Sequence, residues 1–309
     1  MTTRHALVDV GSNTIRMNIY DIDNEKGEFS LLFSEKETLG ILNFIENRTL
    51  TKTGMDKLLF TLSTFKNCAQ SVKCGYFTCF ATASLRGILN KKEVLNKINA
   101  RLGITVDLIS GSDEALYDFY SIKKYFSPNS RKGLMIDVGG GSTEFLSFEN
   151  DRVLESASEN IASLLLHKKF VSKILPQKDE IAEIIKYTDR KLKKILWLCG
   201  NFDEVFFIGG TARAIAKIHR AYFKNSTFSP LNGYKIKRSD IFKILDCYCE
   251  NRKELTESII KEIPDRIHTF IPGLVLYTRV MNKVQCEYIT ISSFGVREGY
   301  LVKNILNRE

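Results

Sequence analysis

The segment Met135–Glu144 holds residue types that could bind a phosphate and a cation together. An apolar run that ends at Val138 carries one carboxylate, Asp137. Three glycines without side chains come next, followed by two hydroxyl residues and a second carboxylate. The order is Gly139, Gly140, Gly141, Ser142, Thr143 and Glu144. Glycines let backbone N–H groups approach a phosphate closely, and hard cations such as Mg²⁺ prefer carboxylate oxygens. We predict phosphate binding by residues 139–143 and metal binding by Asp137 and Glu144; the alternative is a tight turn that binds nothing.

The same order of residue types occurs near the start of the chain. The apolar run Ala6–Val10 carries Asp9, and Gly11, Ser12 and Asn13 follow it. We predict that these three residues bind phosphate and that Asp9 joins the metal through a water molecule, although an aspartate here could also serve only the turn. Two such turns in one chain indicate a duplicated phosphate clamp.

The elements that must position these turns alternate between strands and helices, which predicts an α/β fold with mixed sheets. Period-2 and apolar runs predict strands near 6–10, 15–20, 29–35, 76–81, 104–109, 133–138, 143–149, 151–156, 205–208 and 287–291. Helical periodicity predicts helices near 51–73, 110–126, 160–175, 178–199, 239–262 and 273–282, one after Gly209–Thr211 and a last one from Val296.

Composition narrows the class of protein. The chain has 309 residues, of which 44% are hydrophobic and 26% charged, as in an ordinary globular protein of one or two domains. The sequence shows no secretion signal and no membrane-spanning run, so we expect a cytoplasmic protein. Its seven cysteines are scattered and lack the spacing of a metal site, so we expect reduced thiols and no zinc.

The net charge of +9 is compatible with a polyanionic substrate, a nucleic acid or a lysine-rich solvated surface. Tracts such as Lys191–Lys194 and Lys235–Arg238 are typical of exposed helix or loop faces. The chain has no zinc finger and no basic-aromatic RNA-binding motif, so DNA is not an expected partner.

Seven ordered blocks resemble the exopolyphosphatase / guanosine pentaphosphate phosphohydrolase family, a member of the actin, sugar-kinase and heat-shock-chaperone superfamily. The blocks are Asp9–Arg16, Ala81–Arg86, Ile109–Ala115, Asp137–Glu144, Gly209–Arg213, Asn232–Tyr234 and Ser293–Gly299. The resemblance implies two actin-like (ribonuclease H-like) domains with mixed sheets flanked by helices and a cleft between the domains. The expected boundaries are 1–125 plus a C-terminal helix at 295–309 for domain I, and 126–294 for domain II.

The resemblance also assigns roles to single residues. Glu114 occupies the position of the family's water-activating base, and Mg²⁺ is the implied cofactor. Arg86 is the predicted phosphate clamp, since guanidinium binds oxyanions bidentately, although a structural ion pair is the alternative. Asp113 stands where the family more often has Glu, and we expect it to change a supporting contact. His268 replaces a common Asp.

We therefore predict a Mg²⁺-dependent exopolyphosphatase that releases terminal phosphate from inorganic polyphosphate. Guanosine pentaphosphate (pppGpp) is the alternative substrate, because it presents the same terminal phosphoanhydride. A kinase or ATPase of the same superfamily and a non-catalytic polyphosphate or alarmone sensor are further alternatives. Gly209–Thr211 could approach a nucleotide or only close a strand against a helix. No membrane partner is expected, and a homodimer stays open.

Overall fold

Each of the two glycine turns leaves the first strand of a mixed β-sheet, and the two sheets belong to different units of the chain. The computed structural model describes residues 2–128, 132–224 and 230–306. A first unit contains Met1–Glu114 with Leu301–Glu309, and a second contains Ala115–Tyr300. The last segment thus groups with the first unit; residues 307–309 of the predicted C-terminal helix lie outside the described part.

The first unit is built on one mixed sheet. Its strands are β1 (Thr2–Val10), β2 (Ile15–Asp23), β3 (Glu28–Glu37), β4 (Ile45–Glu46), β5 (Thr49–Leu50), β6 (Tyr76–Ala81) and β7 (Val106–Leu108). Its helices are α1 (Lys52–Ser71), α2 (Ala83–Arg86), α3 (Lys91–Leu102) and the start of α4 (Gly111–Phe126). The sheet has the order β3-β2-β1-β6-β7 among the described residues, with β1 parallel to β6 and antiparallel to β2.

The second unit repeats this plan with one strand added. Its strands are β8 (Gly133–Val138), β9 (Thr143–Glu149), β10 (Arg152–Glu159), β11 (Gly200–Asn201), β12 (Glu204–Ile208), β13 (Tyr234–Lys237), β14 (Val284–Gln285) and β15 (Tyr288–Ile291). Its helices are α5 (Ser163–Phe170), α6 (Lys178–Leu192), α7 (Gly209–His219), α8 (Arg238–Glu250), α9 (Arg252–Glu262), α10 (Phe270–Lys283) and α11 (Val296–Leu301). The order β10-β9-β8-β12-β15 reproduces that of the first sheet, and β13 extends it.

The two turns after β1 and β8 have the same hydrogen bond. Gly11 N–H donates to Thr14 O at 3.1 Å, and Gly139 N–H donates to Ser142 O at 3.1 Å. A Cβ atom at Gly11 would lie 2.8 Å from Thr14 O, so the turn excludes a side chain there. The predicted duplication therefore extends from strand order to individual hydrogen bonds.

A second repeated contact ties each turn to the helix after the fourth strand of the motif. Ser84 Oγ in α2 donates to Val10 O at 2.8 Å, and Thr211 Oγ1 in α7 donates to Val138 O at 3.0 Å. Both acceptors end the first strand of their sheet, and both hydroxyls are buried. The carboxyl ends of neighbouring parallel strands are thereby fixed beside each other.

Apolar side chains pack against each sheet, and in the second unit they cover both faces. In the first unit α1 packs Leu58, Leu62 and Phe65 against the side chains of β1 and β2. In the second unit the core includes α10, with Tyr277 fully buried against the strands. No described helix is both long and apolar enough to cross a membrane.

Several predicted boundaries were wrong. The helix expected at 160–175 ends at Phe170 because Val171 is extended, and the one expected at 178–199 ends at Leu192. The helix expected at 239–262 is broken at Asn251, whose φ of −118° and ψ of 52° leave the helical region while the apolar period continues.

The tract Lys235–Arg238 was also misread. It contributes the edge strand β13, with Ile236 buried between two exposed lysines, and lysine on an edge strand discourages further strand pairing.

Candidate active site

The predicted residues of the first unit follow the carboxyl ends of its parallel strands β1, β6 and β7. The turn after β1 is anchored by its own carbonyls: Asn13 O accepts from Gly40 N–H at 2.8 Å, and Ser12 O accepts from Leu42 N–H at 3.4 Å. The Ser12 side chain is buried. Because these carbonyls are occupied, the geometry of the turn is fixed by the fold.

Glu114 and Arg86 meet at the amino end of α4. Arg86 Nη1 donates to Glu114 Oε2 at 3.3 Å and to Ile109 O at 3.0 Å. The Glu114 side chain is 12% exposed and that of Arg86 25% exposed, so the pair is shielded but reachable from solvent. The predicted ion pair is present and uses only Nη1 of Arg86; its Nε and Nη2 make no hydrogen bond to any described residue.

Asp113 caps this helix. Its N–H donates to Ser110 Oγ at 3.1 Å, and its carboxylate accepts from Ser110 N–H at 3.3 Å and from Ser110 Oγ at 2.6 Å. This reciprocal pair is a capping box, in which the short aspartate replaces the usual glutamate. The departure at position 113 therefore acts on the start of the helix that carries Glu114.

Asp137 and Glu144 stand directly opposite each other on the antiparallel strands β8 and β9. Opposed residues share a face of the sheet with Cβ atoms about 5 Å apart, and two like charges there are unfavourable. Glu144 is buried and its Oε1 accepts from Ser158 Oγ at 2.8 Å. Two carboxylates in this arrangement fit a hard divalent cation, which would offset their repulsion.

Two hydroxyls around the second glycine turn hold the loop in place. Thr143 is fully buried and its Oγ1 donates to Ile161 O at 2.6 Å. Ser163, the first residue of α5, donates to Gly139 O from its N–H at 3.1 Å and from its Oγ at 2.9 Å. The Thr143 hydroxyl is thus engaged in the protein. At the tip of the turn Gly140 is partly exposed and Gly141 is buried.

Gly209 and Gly210 at the start of α7 make room for charged side chains. Gly209 has φ +83°, and a Cβ there would overlap the Asp137 carboxylate. A Cβ at Gly210 would overlap the guanidinium of Arg266. These contacts account for both glycines without a nucleotide, which favours the strand-to-helix interpretation of this motif.

Arg266 was missed by the sequence analysis. Burial lowers the pKa of its guanidinium, while the nearby Asp265 and Asp137 act in the opposite direction. It lies in the short 3₁₀ turn Pro264–Arg266, which carries no recognisable motif of its own. Its packing on Gly210 and its closeness to Asp137 place it in the candidate site.

The structure gathers these residues as two groups. Arg86 joins Glu114 in the first unit, and Asp137 joins Glu144 and Arg266 in the second. Over the described ranges, no three His, Cys, Asp or Glu side chains converge as a metal cage. The rings of His167 and His268 meet edge to face with centroids 5.2 Å apart.

Two sheets that share the order of five strands, each with a glycine turn after its first strand, define an actin-like fold, as the sequence predicted. The model of the Ppx/GppA phosphatase family matches residues 18–308. The chain belongs to this family of phosphohydrolases, and the resemblance carried by the seven blocks is confirmed.

Relatives agree over nearly the whole chain. Exopolyphosphatase 1 of Mycobacterium tuberculosis is 22% identical over 98% of this chain and 88% of its own. The crystal structure of an Aquifex aeolicus Ppx/GppA family member superposes with a TM-score of 0.82 at 21% identity, covering 99% and 98% of the two chains. An exopolyphosphatase structure from Cytophaga hutchinsonii gives 0.84 at 22% identity, covering 97% and 96%.

The contact between Gly209 and Asp137 can be tested by comparing alanine substitutions at two glycines that both have positive φ angles. Gly209→Ala should lower phosphatase activity by about tenfold or more, because the new methyl group adds backbone strain and displaces the Asp137 carboxylate. Gly200→Ala is the matched control, since Gly200 has φ +92° and open space around the added Cβ. Equal activity loss in the two variants would contradict the placement of Asp137 in the site.

Proposed function

We propose that this protein is an exopolyphosphatase that releases the terminal phosphate of inorganic polyphosphate by attack of water. The observation that carries the proposal is the Glu114 carboxylate, held by Arg86 at the amino end of α4 in a member of a phosphatase family. The curated relative named above is an exopolyphosphatase, which supports the same substrate.

In this proposal Glu114 is the general base. It takes a proton from water as the water oxygen bonds to the terminal phosphorus, and the bridging P–O bond breaks. The products are inorganic phosphate and a polyphosphate chain one unit shorter. Arg86 positions the carboxylate through Nη1, and its Nε and Nη2 are donors for a phosphoryl oxygen.

The glycine turns bind phosphate through backbone donors. Ser12 and Asn13 in the first unit and Gly140, Gly141 and Ser142 in the second supply N–H groups and hydroxyls, while the N–H groups of Gly11 and Gly139 close the two turns. Thr143 does not contact phosphate through its hydroxyl in this proposal; it holds the start of β9, and with it the turn, in place. Arg266 adds a cationic donor beside the second turn, and its contact with Gly210 keeps it near Asp137.

Asp137 and Glu144 would hold Mg²⁺, and Asp9 would reach it through water. A bound Mg²⁺ supplies charge neutralisation for the transferring phosphoryl group. Protein sites for Mg²⁺ commonly use one or two carboxylates and leave the remaining positions to water and phosphate, which agrees with a pair in place of a cage.

A group of cations in the second unit supports polyphosphate over pppGpp. Around the Tyr187 ring lie Lys169 Nζ at 4.2 Å, Arg190 at 5.3 Å and Lys191 Nζ at 6.0 Å; we call these four residues the Tyr187 cluster. Lys191 pairs with Glu159, whereas Lys169 and Arg190 make no ion pair with any described residue. Three cations converging on one ring suit a polyanion.

The cluster is connected to the second glycine turn through α5. That helix begins at Ser163 on Gly139 and reaches Lys169 after about 9 Å, at 1.5 Å per residue. A linear polyphosphate can extend beyond its terminal phosphate toward such a cluster. In pppGpp the 5′-triphosphate ends at the ribose and the other two phosphates form a separate 3′-diphosphate, so the molecule offers no continuous phosphate chain longer than three.

The role of the base is tested by Glu114→Gln, which keeps the shape and removes the proton acceptor. Phosphate release from polyphosphate should fall by about 10²- to 10⁴-fold with little change in thermal stability. The matched control is Glu93→Gln, an acid in the first turn of α3, which should retain activity. A Glu114→Gln enzyme with wild-type turnover would refute the assignment.

The metal assignment predicts a different response at Asp137. Asp137→Asn should raise the Mg²⁺ concentration needed for half-maximal phosphate release by about tenfold or more, since a ligand is lost. Asp179→Asn, in the first turn of α6, serves as the control. An unchanged Mg²⁺ requirement in Asp137→Asn would remove this residue from the metal site.

The Tyr187 cluster separates the two substrates. The triple variant K169Q/R190Q/K191Q should raise KM for long polyphosphate by about tenfold, at roughly 0.5 kcal/mol per charge, and leave KM for pppGpp nearly unchanged. The control K235Q/K237Q/K253Q removes the same charge from exposed lysines elsewhere. Equal KM changes for both substrates, or none, would remove the argument for polyphosphate.

A further inference from the structure

A groove in the first unit lies between α1 and the end of strand β3. Its volume is about 660 Å³, and its walls combine apolar and acidic side chains. Glu35, Glu37 and Asp56 supply the acids, and Phe65 lies in the floor. Phe60 forms an exposed lip, with 75% of its surface in solvent. A large aromatic this exposed beside a concave surface is typical of a binding site.

The groove borders a free sheet edge. Strand β3 is the last strand of its sheet and pairs only with β2 among the described residues. A register irregularity interrupts the pairing between Ile19 and Tyr20, but the stretch Phe33–Glu37 is regularly paired with Ile15–Ile19. The outer backbone groups of this stretch can therefore pair with an added strand.

Side-chain alternation places the acids of this stretch over the groove. Phe33 opposes Ile19, Glu35 opposes Met17 and Glu37 opposes Ile15, so all three share the face that packs on α1. An added strand would direct every second side chain onto the same face. Those side chains would meet Phe60 and the acids.

Charge distinguishes the possible occupants. Glu35, Glu37 and Asp56 make no ion pair with any described residue, and Lys57, the cation in the lining, lies over the Phe44 ring at 5.0 Å. This groove is acidic in a chain of net charge +9. A second copy of β3 would bring its own Glu35 and Glu37 to the edge, and like charges oppose such pairing.

We propose that the edge Phe33–Glu37 and its groove bind an extended segment of a partner protein in which basic and apolar residues alternate. The segment adds as a strand to β3 through main-chain hydrogen bonds. Its apolar side chains pack on Phe60 and Phe65, and its basic side chains pair with Glu35, Glu37 and Asp56. The surface is distinct from the residues assigned to phosphate hydrolysis.

The test uses a fluorescein-labelled peptide of alternating lysine and valine, about six residues long, the length of an average strand. Anisotropy should show saturable binding to the full chain, at least about tenfold weaker for E35K/E37K. The matched variant E250K/E257K, which reverses two exposed acids on the second unit, should bind like wild type. A glutamate–valine peptide should not bind.

Amide hydrogen exchange distinguishes strand addition from a contact between charged side chains alone, which would leave the exchange rates of β3 unchanged. The lysine–valine peptide should slow exchange of β3 amides, because strand addition pairs them. Three results would overturn the proposal: no binding to wild type, equal binding to E35K/E37K, or binding without protection of β3. Concentration-dependent dimerisation that E35K/E37K abolishes would assign the edge to a second copy and overturn it as well.

Discussion

In each unit one tight turn after the first strand positions the hairpin residues of the candidate site. In the first unit Gly11 closes it on Thr14, and in the second Gly139 closes it on Ser142, both at 3.1 Å. The turn sets the register of the hairpin, and the register decides which residues stand opposite each other. A side chain on either glycine would push against the accepting carbonyl. The absence of a side chain at these two glycines is therefore required for the arrangement of the site residues in each hairpin.

The duplicated register also explains how the two units differ. Asp9 stands opposite Arg16 in the first hairpin, and Asp137 stands opposite Glu144 in the second. The first pair is acid and base, whereas the second is two acids. The second arrangement concentrates two negative charges, which Arg266 offsets in part and a bound metal ion would offset further. The two hairpins thus differ in one residue of the opposed pair: Arg16 makes the first pair neutral, and Glu144 makes the second a candidate metal site.

Much of this could be predicted from the sequence because the motifs are local. The glycine turns, the strands around them and the helix start at Ser110 follow from neighbouring residues, and the structure agrees with each. The break at Asn251 could not be predicted, since the apolar period continues through it. Arg266 was missed because its relevance arises from packing on Gly210, far away in the chain. Long-range contacts of this kind leave no local pattern.

The central claim is that water attacks the terminal phosphorus of a polyphosphate chain, and hydrolysis in ¹⁸O-labelled water tests it most directly. Products resolved by chain length should show labelled inorganic phosphate, one per turnover, and unlabelled chains that shorten one unit at a time. Release of unlabelled phosphate with label in the remaining chain, cleavage inside the chain, or no release at all would contradict the account.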